Sequence, residues 1–350
     1  MPNRSVSEWL TTWFQRTLIV WLLVSSYVAL RWTGWFPDAT DVFGKSFFTN
    51  TYLYLTIAVT MFSIGMMLPR DEVQQVFVRW PTVISGTVIQ YLTMPLLAFA
   101  CAKIAGLDKY QLIGVVMVGC VPGAMASNVL TLNAGGNASY SVSLTTAATL
   151  LSPLAVPFAL AVTLGTEGAV NWLLLVKSSA ILLSIVVIPV IVGHLIGRLQ
   201  SVASENNVKV IGSTLANLAI LIIIAVVVGR NRQRLENLRF DLLWLLLIIN
   251  LGGYIAGYYG AMILRITNSM RRALTLEIGM QNAGLGATLA LTLFPANSEV
   301  AIAPAMYTFG CMLTGTVLSG IWAMQPLQHN EQSQTHRDDD SQDTNTDTPN

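Results

Sequence analysis

Glu277 is the one acidic side chain of this sequence that falls well inside an apolar run. If that run crosses a bilayer, placing the carboxylate there costs about 2.5–3.5 kcal/mol or more, so it requires a partner. Arg271 and Arg272, about one and a half turns earlier, offer a structural ion pair. The residues that follow offer something different: Met280, Gln281 and Asn282, then Gly284 and Gly286, a set that suggests an unwound stretch with its carbonyls turned inward. A second odd segment, CVPGAMASN over 120–128, sets Pro122 and Gly123 ahead of Ser127 and Asn128. Proline removes a backbone donor and glycine relaxes the chain, which gives either a simple kink or a break at mid-membrane. Backbone groups freed by a break are tolerated in hydrocarbon only where protein buries them or where they line a wet cavity.

A hard monovalent cation such as sodium prefers several neutral oxygens with one or two carboxylates. Ser127 and Asn128, Ser141 and Thr145 at i and i+4 on one helical face, and Glu277 with Gln281 supply that inventory if they converge. Serine and threonine in spanning helices also bond to their own backbone or join helices, so Ser141 and Thr145 carry no weight alone. Gln90, a neutral amide amid the aliphatics of ISGTVIQYLTMPLL, requires a hydrogen-bond partner and becomes a ligand candidate if its helix packs against the Glu277 segment. A proton relay through Glu277 is the alternative chemistry. Asn128 and Gln281 speak against it, because a proton needs one titratable site and not a ring of neutral oxygens.

These residues have to be held by membrane-spanning helices. Hydrophobic residues make up 53% of the chain and charged residues 11%, far below the quarter expected of a soluble domain. The apolar runs are about twenty residues long, enough to cross the hydrocarbon. With charges, proline and glycine as punctuation, spans fall near 14–33, 46–68, 80–102, 110–134, 138–164, 170–197, 208–229, 240–265, 272–294 and 299–325. The expected fold is therefore an all-α polytopic membrane protein with ten transmembrane helices. The two odd segments are each fourth in a group of five, and interrupted apolar segments at matching positions point to a carrier built from two inverted repeats. The expected divisions are an N-terminal segment over 1–13, a first repeat over 14–164, a second over 165–327 and a disordered polar tail over 328–350. Residues 1–16 show no secretory signal pattern, and the loop arginines and lysines favour cytoplasmic termini only slightly.

Other classes are excluded or thin. A net charge of +1 gives no footprint for nucleic acid. Cys101, Cys120 and Cys311 form no metal-ligand pattern and read as buried, inert thiols. No HExxH, GxSxG or close carboxylate pair supports an enzyme, and His194 reads as a solvated interfacial histidine. No organic cofactor is expected.

FSIGMMLPRDEV, VIQYLTMPLLAF, VPGAMASNVLTLNAGGNASYSVSLTTAATLLSPLAVP and EIGMQNAGLGATLAL together resemble the bile acid:sodium symporter family, in order and with its spacing, from about Thr60 to Phe294. The resemblance implies sodium-coupled symport of an organic anion by alternating access at the cell (inner) membrane. It implies a core domain of spans three to five and eight to ten, with crossing broken helices in spans four and nine. Spans one, two, six and seven form a panel domain. By motif position it implies a first sodium site at Ser127, Asn128, Ser141, Thr145 and Glu277. A second falls at Gln90, Glu277, Ile278, Met280 and Gln281, with Ile278 and Met280 giving backbone carbonyls. Asn282 is implied to face substrate, and Thr314 is set beside it as a further substrate contact. The tenth span departs from the bile-acid-carrying members: Cys311-Met312-Leu313-Thr314-Gly315 stands where they show a His-Asn pair followed by Ile-Ser-Gly. Bile acid is therefore not carried over as the cargo, and a smaller anion, such as a 2-oxo acid, a pantoate-like acid or a sulfonate, fits as well or better. A related arsenite-exporting family carries cysteine directly after the fourth-span proline, where this chain has Gly123.

Overall fold

The computed structural model describes residues 17–37, 41–43, 50–70, 72–165, 168, 170–199, 205–236 and 240–325. The N-terminal segment and the polar tail predicted from sequence lie outside them. Among the described residues the ordered elements are all helical. They are α1 (Leu18–Trp35), α2 (Asn50–Met67), α3 (Glu72–Val78), α4 (Trp80–Ile104), α5 (Lys109–Cys120), α6 (Ala126–Asn133), α7 (Ala138–Leu164) and α8 (Trp172–Leu199, with a π turn at Leu183–Val187). They continue with α9 (Glu205–Arg230), α10 (Arg232–Glu236), α11 (Phe240–Ile263), α12 (Asn268–Gly279), α13 (Ala283–Leu293) and α14 (Ile302–Ala323), the last preceded by a 3-10 turn at Ser298–Ala301.

Seven of the described helices are long and apolar enough to cross a membrane, and Thr51–Met67, Lys109–Cys120 and Ala283–Leu293 are shorter apolar helices. Large apolar side chains such as Leu154, Trp172 and Leu173 are exposed on the outside of the bundle. A lipid solvent explains that exposure, since a water-facing surface would not carry so much aliphatic area. The chain is a multi-pass membrane protein.

The elements start where local chemistry caps them. Asp108 accepts from the amides of Tyr110 and Gln111 at the head of α5, Asn137 from Tyr140 at α7, and Asn171 from Leu174 at α8. Each satisfies amides that a helix leaves open at its first turn. Two packed groups result. α2 lies against α8 and α9, and α9 also covers α1; α4 packs on α5, α7 and α11, while α11 packs on α12 and α14. α2 and α8 approach closely because a Cβ on Gly65 would meet the Val190 carbonyl at 2.1 Å and one on Gly193 would meet the Phe62 carbonyl at 2.1 Å.

Three expectations change. The chain resumes its helix at Ala283, so Gly284 and Gly286 lie inside α13 and not in an unwound stretch. The reason is local: Asn282 caps α13 by accepting from the Leu285 amide at 3.1 Å. His194 is not solvated but buried between helices, and neither ring nitrogen has a hydrogen-bond partner. Its helix turns that face toward α2, where Gly193 brings the backbones together. Cys101 is only half-buried, unlike Cys120 and Cys311.

Candidate ion and substrate site

The helix α5 ends at Cys120, and the chain is not helical again until Ala126. α12 likewise ends at Gly279 and α13 begins at Ala283. The two interruptions meet. Gly123 and Gln281 form an isolated antiparallel bridge, in which the Ala124 amide donates to the Met280 carbonyl at 2.7 Å and the Asn282 amide to the Pro122 carbonyl at 2.8 Å. Backbone groups orphaned by each break are thus satisfied by the other, which an apolar interior demands.

Glu277, on the last turn of α12, is completely buried beside this bridge. Its Oε2 accepts from Ser127 Oγ at 2.5 Å and its Oε1 from Thr145 Oγ1 at 2.8 Å. Lengths of this order are those of hydroxyls donating to a carboxylate. The arginine pairing left open by the sequence is not made. Arg272 donates to the carbonyls of Ala134, Trp322 and Gln325 at 2.5, 3.1 and 2.7 Å, and its guanidinium lies over the Trp322 ring. Arg271 reaches Tyr258 at 3.5 Å. Among the described residues no cationic side chain reaches the Glu277 carboxylate.

Around that carboxylate, acceptors outnumber protons. Asn128 Oδ1 accepts from Ser141 Oγ at 2.8 Å and lies 3.3 Å from Thr145 Oγ1, which is also 3.1 Å from the Ser141 carbonyl. Thr145 has one proton for three acceptors. The hydroxyls of Ser127, Ser141 and Thr145 thus serve the two buried oxygens of Glu277, the half-buried Asn128 Oδ1 and the Ser141 carbonyl of α7. The surplus lone pairs can be satisfied by a cation that prefers neutral oxygen. Among the described residues no group of three or more His, Cys, Asp or Glu is suited to a transition metal.

A second constellation includes Gln281, itself a residue of the bridge. Gln90 Nε2 donates to Gln281 Oε1 at 3.4 Å, and Gln281 Nε2 donates to the Ile278 carbonyl at 2.7 Å. All three residues are buried, so α4 does meet the Glu277 segment. The Met280 carbonyl is held by the Ala124 amide.

A narrow cleft of about 10 Å³, bounded by Gly123, Met125, Thr145, Thr146, Thr149 and Asn282 on one wall, faces Met61, Ile64, Leu68 and Val190 from α2, α8 and the bend after α2. Asn282 lines this cleft. Thr314 is not among the residues lining it. Its hydroxyl is committed to Asn250 Oδ1 at 2.6 Å and lies 3.1 Å from the Tyr254 hydroxyl. Asn250 Nδ2 and the Tyr307 hydroxyl each donate to the Gly279 carbonyl at 2.8 Å, so this group holds the end of α12 where the chain leaves the helix.

Three residues of the site are missed by sequence reasoning. Gly123 sits so close to Glu277 that an added Cβ would lie 2.0 Å from Oε1. Thr131 lies 3.3 Å from Ser141 Oγ, and its i+4 spacing from Ser127 was a usable signal. Asn250 is a lone amide in an apolar run, the same signal that singles out Gln90. Asn250→Leu is expected to cost about 1–3 kcal/mol of stability by leaving Thr314 and Gly279 short of a partner. A lower thermal unfolding midpoint, with a sodium response still present, is the result to look for.

A family model described as "Sodium Bile acid symporter family" matches residues 54–237, more than half of the chain. A "sodium-dependent transporter YocS" of Bacillus subtilis (strain 168) is 29% identical over 316 residues, covering 88% of this chain and 91% of that protein. The "Probable sodium/metabolite cotransporter BASS1, chloroplastic" of Arabidopsis thaliana is 28% identical over 78% of this chain and 67% of its own length. The "Ileal sodium/bile acid cotransporter" of Mus musculus is 27% identical over 78% of this chain and 79% of its own length. With the interrupted helices and the buried carboxylate they enclose, these matches make the chain a member of the sodium bile acid symporter family, a family of membrane transporters and not of enzymes.

Proposed function

We infer that this protein is a sodium-coupled symporter of a small organic anion at the cell (inner) membrane, with cytoplasmic termini, and that it works by alternating access. One observation carries the reading: a fully buried carboxylate, among more acceptor oxygens than protons, at the meeting point of two interrupted helices. In this reading α5–α6 and α12–α13 are the crossing broken helices of a ten-span inverted repeat. α4–α7 and α11–α14 form the core, and α1, α2, α8 and α9 the panel.

Sodium entering the first site would turn the hydroxyl protons of Ser127, Ser141 and Thr145 outward and expose their lone pairs to the ion, together with Glu277 and Asn128. The Ser127 and Thr145 hydroxyls that now reach Glu277 lie on α6 and α7, so one cation bound there fastens three elements at once. A second sodium at Gln90, Glu277, Ile278, Met280 and Gln281 would replace the amide contacts between Gln90 and Gln281. Among the described residues no lysine, arginine or histidine lines the cleft. The cargo's negative charge is therefore offset by the sodium ions behind Gly123 and by the amide end of α13 at Asn282. The cleft is too narrow for an organic anion in this conformation, which requires α2 and α8 to move away from α7 as the cargo enters.

Two sodium ions with one monovalent anion carry one net positive charge inward, worth about 2.3 kcal/mol per 100 mV. In proteoliposomes, sodium titration of uptake is expected to give a Hill slope above one and stimulation by an inside-negative potential. A slope of one with no dependence on potential contradicts that stoichiometry, and uptake driven by acid pH without sodium supports the proton relay. Ser141→Ala and Thr145→Val are each expected to raise the half-saturating sodium concentration about tenfold, the effect of losing about 1–1.5 kcal/mol of a hydrogen-bond-strength contact.

A further inference from the structure

The second half of α13 carries two polar side chains that the ion and substrate site does not use. Thr288 and Thr292 are buried, and among the described residues neither hydroxyl has a hydrogen-bond partner. Thr87, Thr163 and Thr308, in other helices, donate to the carbonyl one turn back, so the two on α13 are turned away from a bond that their backbone offers. The helix sets their direction. An added Cβ on Gly286 would lie 3.4 Å from Pro304 and 3.6 Å from the Met117 carbonyl, inside the core, whereas one on Gly284 would lie 3.8 Å from Ile220 of α9. Thr288 and Thr292 follow Gly284 at i+4 and i+8 on one side of α13, a helix that packs against α2, α8 and α9. A buried hydroxyl without a partner costs free energy, and it is relieved if the seam between the two packed groups takes in water in another conformation.

That seam is fastened at its far end. α13 leads from the cleft at Asn282 to Leu293, and the chain then enters the 3-10 turn at Ser298–Ala301. Asn231, where α9 ends, donates to the Ser298 carbonyl at 3.2 Å and accepts from Ser298 Oγ at 3.0 Å. Both residues are buried. Asn231 also donates to the Val227 carbonyl at 2.9 Å, so its own helix holds the amide in place. Beside this pair Arg234 holds Glu299 at 2.8 Å, with the arginine half-exposed. These contacts join α9 to the turn ahead of α14, elements that the alternating-access reading assigns to panel and core. Two neutral hydrogen bonds and a partly exposed ion pair are each modest, as a contact broken in every transport cycle has to be.

We propose that the Asn231 and Ser298 pair, with the Arg234 and Glu299 pair, is a latch that closes one end of the cargo path, and that Thr288 and Thr292 line the closed stretch behind it. The latch rests on the alternating-access reading, but the labelling that tests it needs no uptake, so the two can fail separately. Thr288→Cys is made in the full chain and purified in a mild detergent, and its alkylation by a hydrophilic maleimide is followed by peptide mass spectrometry. Labelling is expected to be slow with the latch intact. Arg234→Glu combined with Ser298→Ala is expected to raise the rate at position 288 about tenfold, the effect of losing one hydrogen-bond-strength contact from the closed state. The buried Cys120 and Cys311 should stay unlabelled, which separates opening from unfolding. Arg234→Glu combined with Glu299→Arg restores the ion pair with its charges exchanged and is expected to return the rate toward that of the intact latch. Ser298→Ala alone serves if the first combination does not fold. Equal rates with the latch intact and broken, or a rise at position 288 matched at Cys120 and Cys311, overturns the latch, and sodium-driven uptake by the wild type then leaves the transport reading standing. The expected rise in a chain whose wild type shows no sodium-driven uptake supports the latch and counts against sodium coupling alone.

Discussion

Glu277→Gln is expected to abolish sodium-driven uptake and sodium-dependent thermal stabilisation while leaving a folded protein. Removing one partner of a buried ionic contact costs about 3–5 kcal/mol, which corresponds to a loss of about two to four orders of magnitude in sodium affinity. The sign without sodium is opposite. The wild-type carboxylate is buried with two hydroxyl donors and no cationic side chain near it, an arrangement that costs free energy until an ion arrives. Glutamine carries no charge to desolvate, so the variant is expected to melt at or above the wild-type midpoint in sodium-free buffer and to be indifferent to added sodium. Paired melting curves check both halves, and a variant that keeps the wild-type sodium shift removes Glu277 from the ion site.

Gly123→Ala is expected to be nearly as damaging, by a different route. The new methyl would lie 2.0 Å from Glu277 Oε1 and 2.5 Å from Cδ, far inside contact distance. The carboxylate is packed against Ser127 and Thr145 and cannot swing aside without breaking those bonds. Nor can the backbone retreat easily, because Gly123 pairs with Gln281 and its neighbours bond Met280 and Asn282. A drop of at least tenfold in sodium affinity is expected, together with a lower unfolding midpoint, since overpacking a tight interior costs about 1–3 kcal/mol. Uptake measured against sodium concentration separates this from Asn250→Leu, which lowers stability with a much smaller change in sodium dependence.

Helix ends in this protein were legible wherever a residue's local chemistry set them. The run 138–164 is read correctly to the residue because Asn137 caps it and Gly165 ends it. The interruption at Pro122 is visible for the same reason, as proline cannot donate. The oxygen inventory was legible too, since polar side chains in an apolar run stand out one at a time: Gln90, Ser127, Asn128, Ser141, Thr145, Glu277 and Gln281 all meet around the two interruptions.

What sequence could not supply was distance between strangers in the chain. Gly123 reads as a residue that loosens the backbone, yet its absent side chain makes room for a carboxylate 154 positions away. Gly284 and Gly286 look like unwinding residues, but a single bond from Asn282 to the Leu285 amide restarts the helix ahead of them. Thr314 sits where the family resemblance implies a substrate contact, while its hydroxyl is turned to Asn250. His194, with Arg198 one turn on, reads as interfacial. Its burial depends on the close approach of α2 and α8 at Gly65 and Gly193, which no local pattern announces.

The central claim is that alkali metal sits beside Glu277. A crystal of the protein soaked with thallium(I), a monovalent ion with strong anomalous scattering, tests it most directly. Two anomalous peaks are predicted, one enclosed by Ser127, Asn128, Ser141, Thr145 and Glu277 and the other by Gln90, Glu277, Ile278, Met280 and Gln281, and both should fade when sodium is added. A map with no peak within bonding distance of the Glu277 carboxylate, or with a peak that sodium does not displace, would contradict the account.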